Sequence, residues 1–379
     1  MNHSPRILFF ENNAAYFISH RLPVARAIQN LGYEVHVATI PDAVADDLRT
    51  AGFEFHPLIF SRGGMNPFGE WQTLRRIRRL YHELAPALVY QVTVKPVIYG
   101  TLAARRQRVP AVVSVISGLG YFASQTGLRG RLFRKLGFAL YRFALHHANQ
   151  RVIFHNGDDC DTFVRYRVLP QADTAVLPGS GVDVEHFLAT PEPEGTPLVV
   201  LPARMLRDKG INEYVAAAGL LQSRGVRARF LLAGDTDRGN PSAIAESQLW
   251  RWRVEGNVEW LGHVPDMRAL YASCHVVCLP SYREGMPRVL LEAAACGRPV
   301  VTTDVPGCRD AVIEGETGLL VPPRDAEKLA AALRSLIENP GLRRRMGQQG
   351  RHVAETRFAS RQVVERTINM MQELMTVGG

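Results

Sequence analysis

The chain has 379 residues, 46% of them hydrophobic and 21% charged, which excludes a fibrous, disordered or disulfide-framework protein and suits two domains of about 150 to 200 residues. Its formal charge of +9 is uneven: residues 1–180 hold 21 Lys and Arg against 12 Asp and Glu, while residues 181–379 hold 24 against 24. Within 71–150 there are 13 basic residues and one acid, Glu83, so the first half alone is built to meet something anionic.

Polar Met1–Arg6 leads straight into Ile7-Leu8-Phe9-Phe10, an apolar run too short for a signal peptide. Apolar runs at 6–10, 34–39, 54–58, 87–90, 111–115, 150–154 and 173–176 read as strands, with helical periodicity at 15–31 and 96–107 between them. Strands apolar on both faces and separated by helices predict a parallel sheet covered on each side. The longest uncharged stretch, 109–128, is broken by Pro110, three serines and three glycines, so it reads as strand and loop rather than a membrane span. Residues 190–197 (Thr-Pro-Glu-Pro-Glu-Gly-Thr-Pro) have linker composition. The alternation restarts at 198–203, 229–233, 258–262, 275–279, 299–302 and 319–321, and an amphipathic helix over 360–376 ends the chain. The pattern predicts two tandem doubly wound, Rossmann-like α/β domains, 1–190 and 191–359, with ligands at the carboxyl ends of the strands in a cleft where the domains face.

The five cysteines (Cys160, Cys274, Cys278, Cys296 and Cys308) are odd in number with no C-x-x-C pair, which predicts buried thiols in a reducing, cytoplasmic setting. G-x-G-x-x-G, Gly-Lys and G-x-S-x-G are all absent from the sequence. Asp235-Thr236-Asp237 and Asp159-Cys160-Asp161 both match the short D-x-D pattern. Two unrelated matches read better as loop or helix-start acids than as metal ligands, so no metal is expected.

Residues 280–297 carry the chemistry. A strand ends at Pro280, Glu284-Gly285-Met286 make a tight turn, Pro287 suits the first position of a short helix and Gly297 its left-handed stop. The free N–H groups and positive dipole end of that helix form an anion site. Glu284 precedes it and Glu292 lies in its second turn; both are acceptors suited to sugar hydroxyls. Arg204 follows the strand 198–203 and Lys209-Gly210 opens the next helix, so an Arg fork and a Lys point charge stand at the same sheet edge, as a diphosphate leaving group requires.

Arg204 and Lys209-Gly210, Gly262-His263-Val264, Leu279-Pro280-Ser281, Glu284-Gly285-Met286-Pro287 with Glu292, and Gly315 with Gly318-Leu319-Leu320-Val321 together resemble the retaining glycosyltransferases of family 4, whose fold is GT-B and whose signature is a Glu pair spaced E-x7-E. The resemblance covers residues 6–376. It implies that Arg204 and Lys209 hold the donor diphosphate, that Glu284 with the amides of Gly285, Met286 and Arg288 beside Pro287 holds the sugar and phosphates, that Glu292 binds ribose, and that His263 and Val264 meet the base through the backbone. It also implies a nucleotide-sugar donor, a UDP-sugar, no metal or other cofactor, same-face attack, and a final helix, 360–379, that crosses back onto the first domain.

In the first domain the loop Glu11 to Phe17, with Asn13 and Tyr16, is expected at the cleft, without the glycine-rich turn many relatives carry. Ser117-Gly118, followed by Leu119-Gly120-Tyr121, stands where many relatives have a His-Gly pair, so a catalytic His there is excluded. His20-Arg21-Leu22-Pro23 and Lys95-Pro96 are similar to bacterial enzymes that extend polyprenyl-diphosphate-linked saccharides, which implies such an acceptor; Lys95 suits either an acceptor phosphate or a helix-flanking cation. Residues 129–147 interleave Arg131, Arg134, Lys135 and Arg142 with Leu132, Phe133, Leu136, Leu140 and Phe143. This basic amphipathic helix suits peripheral attachment to the anionic cytoplasmic face of an inner membrane, or a core-facing stripe with a solvated basic face. A GT-B sugar-nucleotide 2-epimerase, a transferase with a soluble acceptor and a non-catalytic sugar-nucleotide sensor are the competing readings. A nucleic-acid partner is not expected, because it leaves the Glu pair and the neutral second half without a role.

Overall fold

The computed structural model describes residues 4–60, 66–119, 127–237 and 239–377; Gly120, Tyr121 and the side chain of Phe133 lie outside them. The chain forms two compact units, one running to Ser180 and resuming at Val363, the other Gly181–Gln362. Among the described residues of the first unit, β1 (Arg6–Asn13), β2 (Glu34–Ile40), β3 (Glu54–Pro57), β4 (Leu88–Val92), β5 (Ala111–Ile116), β6 (Gln150–Phe154) and β7 (Thr174–Val176) form one parallel sheet in the order β3-β2-β1-β4-β5-β6-β7. Successive side chains of β1 enter opposite cores, as a doubly covered sheet demands. Ile7 and Phe9 pack with Phe17 of α1 (Ala14–His20) and Ile28 of α2 (Leu22–Asn30), next to the small helix α3 (Ala45–Thr50). Leu8 and Phe10 pack with Ile77 and Tyr81 of α4 (Pro67–Leu84) and Ala103 of α5 (Val94–Gln107). The helix expected over 15–31 is two helices: Arg21 closes α1, and Pro23, lacking an N–H, sits in the first turn of α2.

Two further helices of this unit are α6 (Gly127–Ala144) and α7 (Gly157–Arg165). Phe138, Tyr141 and Ala144 of α6 pack with Phe163 of α7 in the core. The opposite side of α6 carries Leu132, Leu136 and Phe143 at 60%, 62% and 64% exposure, with Leu140 alongside. Arg131, Lys135 and Arg142 are exposed among them and Arg134 is half-buried. The core-facing alternative for those leucines is therefore incorrect, because the helix buries a different stripe.

In the second unit β8 (Leu198–Pro202), β9 (Arg229–Ala233), β10 (Glu259–Trp260), β11 (Val276–Leu279), β12 (Val300–Thr303) and β13 (Gly318–Val321) make a parallel sheet in the order β10-β9-β8-β11-β12-β13. It is covered by α8 (Ile211–Ser223), α9 (Glu246–Val254), α10 (Met267–Ser273), α11 (Arg288–Ala295), α12 (Ala326–Glu338) and α13 (Pro340–Val353). Strand order reverses between β8 and β11, the place where such sheets bind ligands. The last helix, α14 (Ser360–Val377), sends Val363, Met371 and Leu374 into the core beneath β1 of the first unit.

The expected boundary near 190 is corrected to 180/181. Val182 bridges Ala359, and Val184 and Phe187 are buried in the second unit's core. The proline-rich stretch is a strap: Arg298 donates to the Thr190 and Pro191 carbonyls at 2.9 and 3.1 Å, and Arg343 pairs with Glu192. Composition reads as linker because prolines remove backbone donors; the buried arginines supply the partners instead. All five cysteines are free and buried.

Candidate active site

The residues that follow β8 and β11 meet at the switch point of the second sheet. Gly210 holds a left-handed backbone (φ +72°), and a Cβ there would lie 2.1 Å from the Pro280 carbonyl, so only glycine lets the turn after Lys209 close onto the end of β11. Lys209 Nζ then lies 2.5 Å from Glu284 Oε1, and Ser281 Oγ donates to the same oxygen at 2.7 Å. Gly307 plays the same part behind Glu284: its missing Cβ would fall 2.5 Å from the Glu284 carbonyl. The turn is further held by the Glu284 amide on the Pro306 carbonyl and the Thr303 hydroxyl on that of Ser281. Both charges of the pair are largely withdrawn from solvent, at 19% and 13% exposure.

Arg204, just past β8, is 62% exposed and bonds Asp237 at 2.5 Å. Asp237 is the second acid of the D-x-D match, so that segment supplies a counter-ion. Glu292 is buried on α11, accepts from the Tyr271 hydroxyl at 3.0 Å and faces Arg288 at 3.2 Å. Burial pushes its carboxyl above the usual range, against the pull of Arg288 and the Tyr271 hydroxyl. Pro287 is corrected from first helical residue to cap: α11 begins at Arg288, with Met286 and Gly285 half-buried ahead of it. The Gly262 carbonyl takes the Gly234 amide at 2.7 Å, which sets the loop where His263 is exposed and Val264 packs on the core. The site thus brings Lys209, Glu284, Ser281 and the start of α11 together, with Arg204–Asp237 and Glu292–Tyr271 as separate pairs. Ser281 carried a sequence signal, its place in the Leu-Pro-Ser run; Tyr271 carried none, since its partner lies 21 residues away.

The first-unit residues are differently employed. Asn13 caps α1, its side chain accepting from the Tyr16 amide at 2.7 Å, and Tyr16 stacks on His20 with ring centroids 3.9 Å apart. Lys95 bonds Glu70 at 2.6 Å, both largely buried, so it ties α5 to α4. Ser117 and Gly118 are half-buried beyond β5, and the following Leu119 amide reaches Asp159 at 3.3 Å. The other D-x-D match is thus a helix-start acid, buried at α7. A cluster that the sequence did not reveal lies below: Glu11, Arg21 and His155 are all buried. Burial raises the Glu11 carboxyl to about 7, against the pull of Arg21. Burial, with Arg21 and His20 nearby, lowers the His155 imidazole to about 3.

Residues 183–353 match the glycosyl transferases group 1 family, and residues 6–156 the glycosyl transferase 4-like family. The chain is a group 1, family 4-like glycosyltransferase. The glycosyltransferase is 28% identical over 351 residues to the N,N'-diacetylbacillosaminyl-diphospho-undecaprenol alpha-1,3-N-acetylgalactosaminyltransferase of Campylobacter jejuni, spanning 89% of this chain and 91% of that one. It is 34% identical over 167 residues to the capsular polysaccharide biosynthesis glycosyltransferase CapM of Staphylococcus aureus, 44% of this chain and 43% of that protein. Among solved structures, Anabaena Alr3699/HepE in complex with UDP superimposes with a TM-score of 0.77 at 20% identity, over 97% and 100% of the two chains. The GT-B architecture of the transferase follows from these folds and its two parallel sheets. Among the described residues no helix is long and apolar enough to cross a membrane.

Proposed function

We propose that the transferase moves a sugar from a UDP-sugar to a polyprenyl-diphosphate-linked saccharide with retention of configuration, in the assembly of a bacterial surface glycan. The observation that carries this is the Lys209–Glu284 pair, held by two glycines at the switch point where α11 begins. As the bond from sugar C1 to phosphate breaks, negative charge grows on the diphosphate. Lys209, Arg204 and the amides at Gly285, Met286 and Arg288 are the donors for it, and each pre-aimed donor of this kind is worth about 2.7–4 kcal/mol. Glu284, released from Lys209, accepts from sugar hydroxyls, and Glu292, fixed by Tyr271, accepts from ribose. The His263–Val264 backbone takes the base. With no carboxylate assigned to the opposite face of the sugar, the leaving phosphate accepts the acceptor's proton. The roles need no metal: the two cations and the helix start carry the leaving group's charge.

UDP as the nucleotide is supported by the similarly folded HepE complex. The lipid-linked acceptor is supported by the Campylobacter relative and by α6, whose exposed leucines and Phe143 alternate with Arg131, Lys135 and Arg142. Such a face lies in the plane of an anionic membrane surface, and each cation near that surface contributes about 1 kcal/mol. The test is incubation with a panel of UDP-sugars and a polyprenyl-diphosphate saccharide, scoring label in the lipid phase. Transfer with an α-linked product from an α-linked donor supports the reading. UDP release that needs no acceptor, as an epimerase gives, removes it.

A further inference from the structure

Arg21 is 3% exposed, yet its Nε and one terminal nitrogen have no hydrogen-bond partner. His155, 5% exposed, leaves Nε2 without one, and Glu11, 1% exposed, leaves Oε2 without one. Buried donors of a guanidinium left unmatched cost more than neutral ones, so a fold keeps them only where something else completes them. Arg21 and His155 line one small cavity with Tyr90, Gly179, Ser180 and Thr367, and the part-exposed His20 and Pro23 form the side nearest solvent. The space admits about one oxygen-sized atom.

Its position is functional in kind. Glu11 lies near the carboxyl end of β1 and Tyr90 lies on β4, the two strands between which the order of the first sheet reverses, and His155 follows the end of β6. The cavity therefore lies at the carboxyl edge of that sheet. The Arg21 guanidinium stands 5.9 Å above the Tyr90 ring, which fixes its plane while leaving its edge for a ligand.

We propose that this cavity is a binding site for one oxygen of an oxyanion, phosphoryl or carboxylate, carried by the acceptor. Arg21 donates to that oxygen from the edge now unmatched, His155 Nε2 donates as the second contact, and the rest of the anionic group stays outside at His20. Glu11 is the nearby acid that moderates the charge of Arg21 when the site is empty. The identity of the acceptor rests on the function proposed above; the oxyanion site does not.

The test uses the full chain and three acceptors: a polyprenyl-diphosphate saccharide, the same saccharide as a neutral alkyl glycoside, and that glycoside bearing a uronic acid. In Arg21→Met the KM for an anionic acceptor should rise at least tenfold, with less than a twofold change for the neutral glycoside. Arg21→Lys, which keeps charge without the fork, should fall between. Loss confined to the diphosphate acceptor assigns the oxygen to phosphoryl; loss confined to the uronate assigns it to carboxylate. No change, or an equal change on all three, overturns the proposal. UDP affinity, measured in wild type and Lys209→Met, tests the donor site independently, so the two readings fail separately. The melting temperature of Arg21→Met is expected to hold or rise, because the substitution removes a buried charge with unmatched donors.

Discussion

Glu11 and His155 make opposite contributions to stability against pH, and two single substitutions separate them. The Glu11 carboxyl moves from an ordinary 4.5 to about 7 in the folded chain. Between those values the folded state holds a proton that the unfolded state has lost, so stability falls as pH rises, by about 1.4 kcal/mol per unit and about 3 kcal/mol in all. The His155 imidazole moves from 6.5 to about 3. Here the unfolded state holds the extra proton, so the stability contributed by neutral His155 is complete above 6.5 and is lost as pH falls toward 3, with a slope of the same size and opposite sign. From pH 4.5 to 6.5 the two slopes cancel. Urea midpoints at pH 4.5, 5.5 and 6.5 should therefore show little change from this cluster in wild type. Glu11→Gln should gain about 3 kcal/mol across that window, and His155→Phe should lose a similar amount. Parallel pH profiles for Glu11→Gln and wild type would refute the reasoning, since the carboxyl would then titrate alike folded and unfolded.

Four further outcomes are expected. Lys209→Met should lower transfer by about 10²–10³ and cost the fold about 3–5 kcal/mol, because it leaves the largely buried Glu284 carboxylate with Ser281 alone; transfer within tenfold of wild type, at unchanged UDP affinity, would remove Lys209 from the site. Gly210→Ala should destabilise by about 2–4 kcal/mol and abolish UDP binding, since a left-handed turn must open to move a Cβ off the Pro280 carbonyl; a normal melt with normal UDP affinity counts against the close approach. Asp237→Asn frees Arg204 from an exposed pair worth about 0.2–1 kcal/mol, so calorimetry should find UDP bound up to about fivefold more tightly; weaker binding would mean that Asp237 itself touches the ligand. Changing Arg131, Lys135 and Arg142 together to Gln should release the protein from vesicles containing anionic lipid at moderate salt while sparing transfer to a soluble acceptor. Retention equal to wild type on those vesicles would assign the membrane face elsewhere.

Legibility in the sequence followed the range of the interactions. Strands such as 111–116 and 150–154 could be read because a doubly covered strand is a run of apolar residues, a purely local property. The turn around Glu284 could be read because its glycines and prolines state their own backbone needs. The strap at 190–197 misled because its partners, Arg298 and Arg343, lie more than 100 residues away. Arg21 stands in the sequence only as part of the His20-Arg21-Leu22-Pro23 run, and only the fold reveals that α1 ends where its guanidinium enters the core above Tyr90. Asn13 ends β1 at the sheet edge, but its oxygen is spent locally on the Tyr16 amide, a use that any helix-start Asn shares.

The distribution of charge in the sequence finds its physical meaning in these pairings. In the second unit the cations of the proposed donor site are each paired within the chain: Lys209 with Glu284, Arg204 with Asp237, Arg288 with Glu292. Such a site is electrically quiet and its donors are already oriented, so a diphosphate enters by exchanging one set of oxygens for another. Under the proposed function, that exchange frees Glu284 for the sugar as the phosphate takes Lys209. The first unit works by the opposite rule. With 21 Lys and Arg against 12 Asp and Glu across 1–180, it carries an excess of cations, and the proposals above give the exposed ones on α6, and Arg21, an external anion. On those proposals, a nucleotide that binds and leaves each cycle suits the matched site, and an acceptor tethered to an anionic surface suits the unmatched one. Salt should then weaken acceptor capture more steeply than nucleotide binding, because the net excess of exposed cations lies on the first unit.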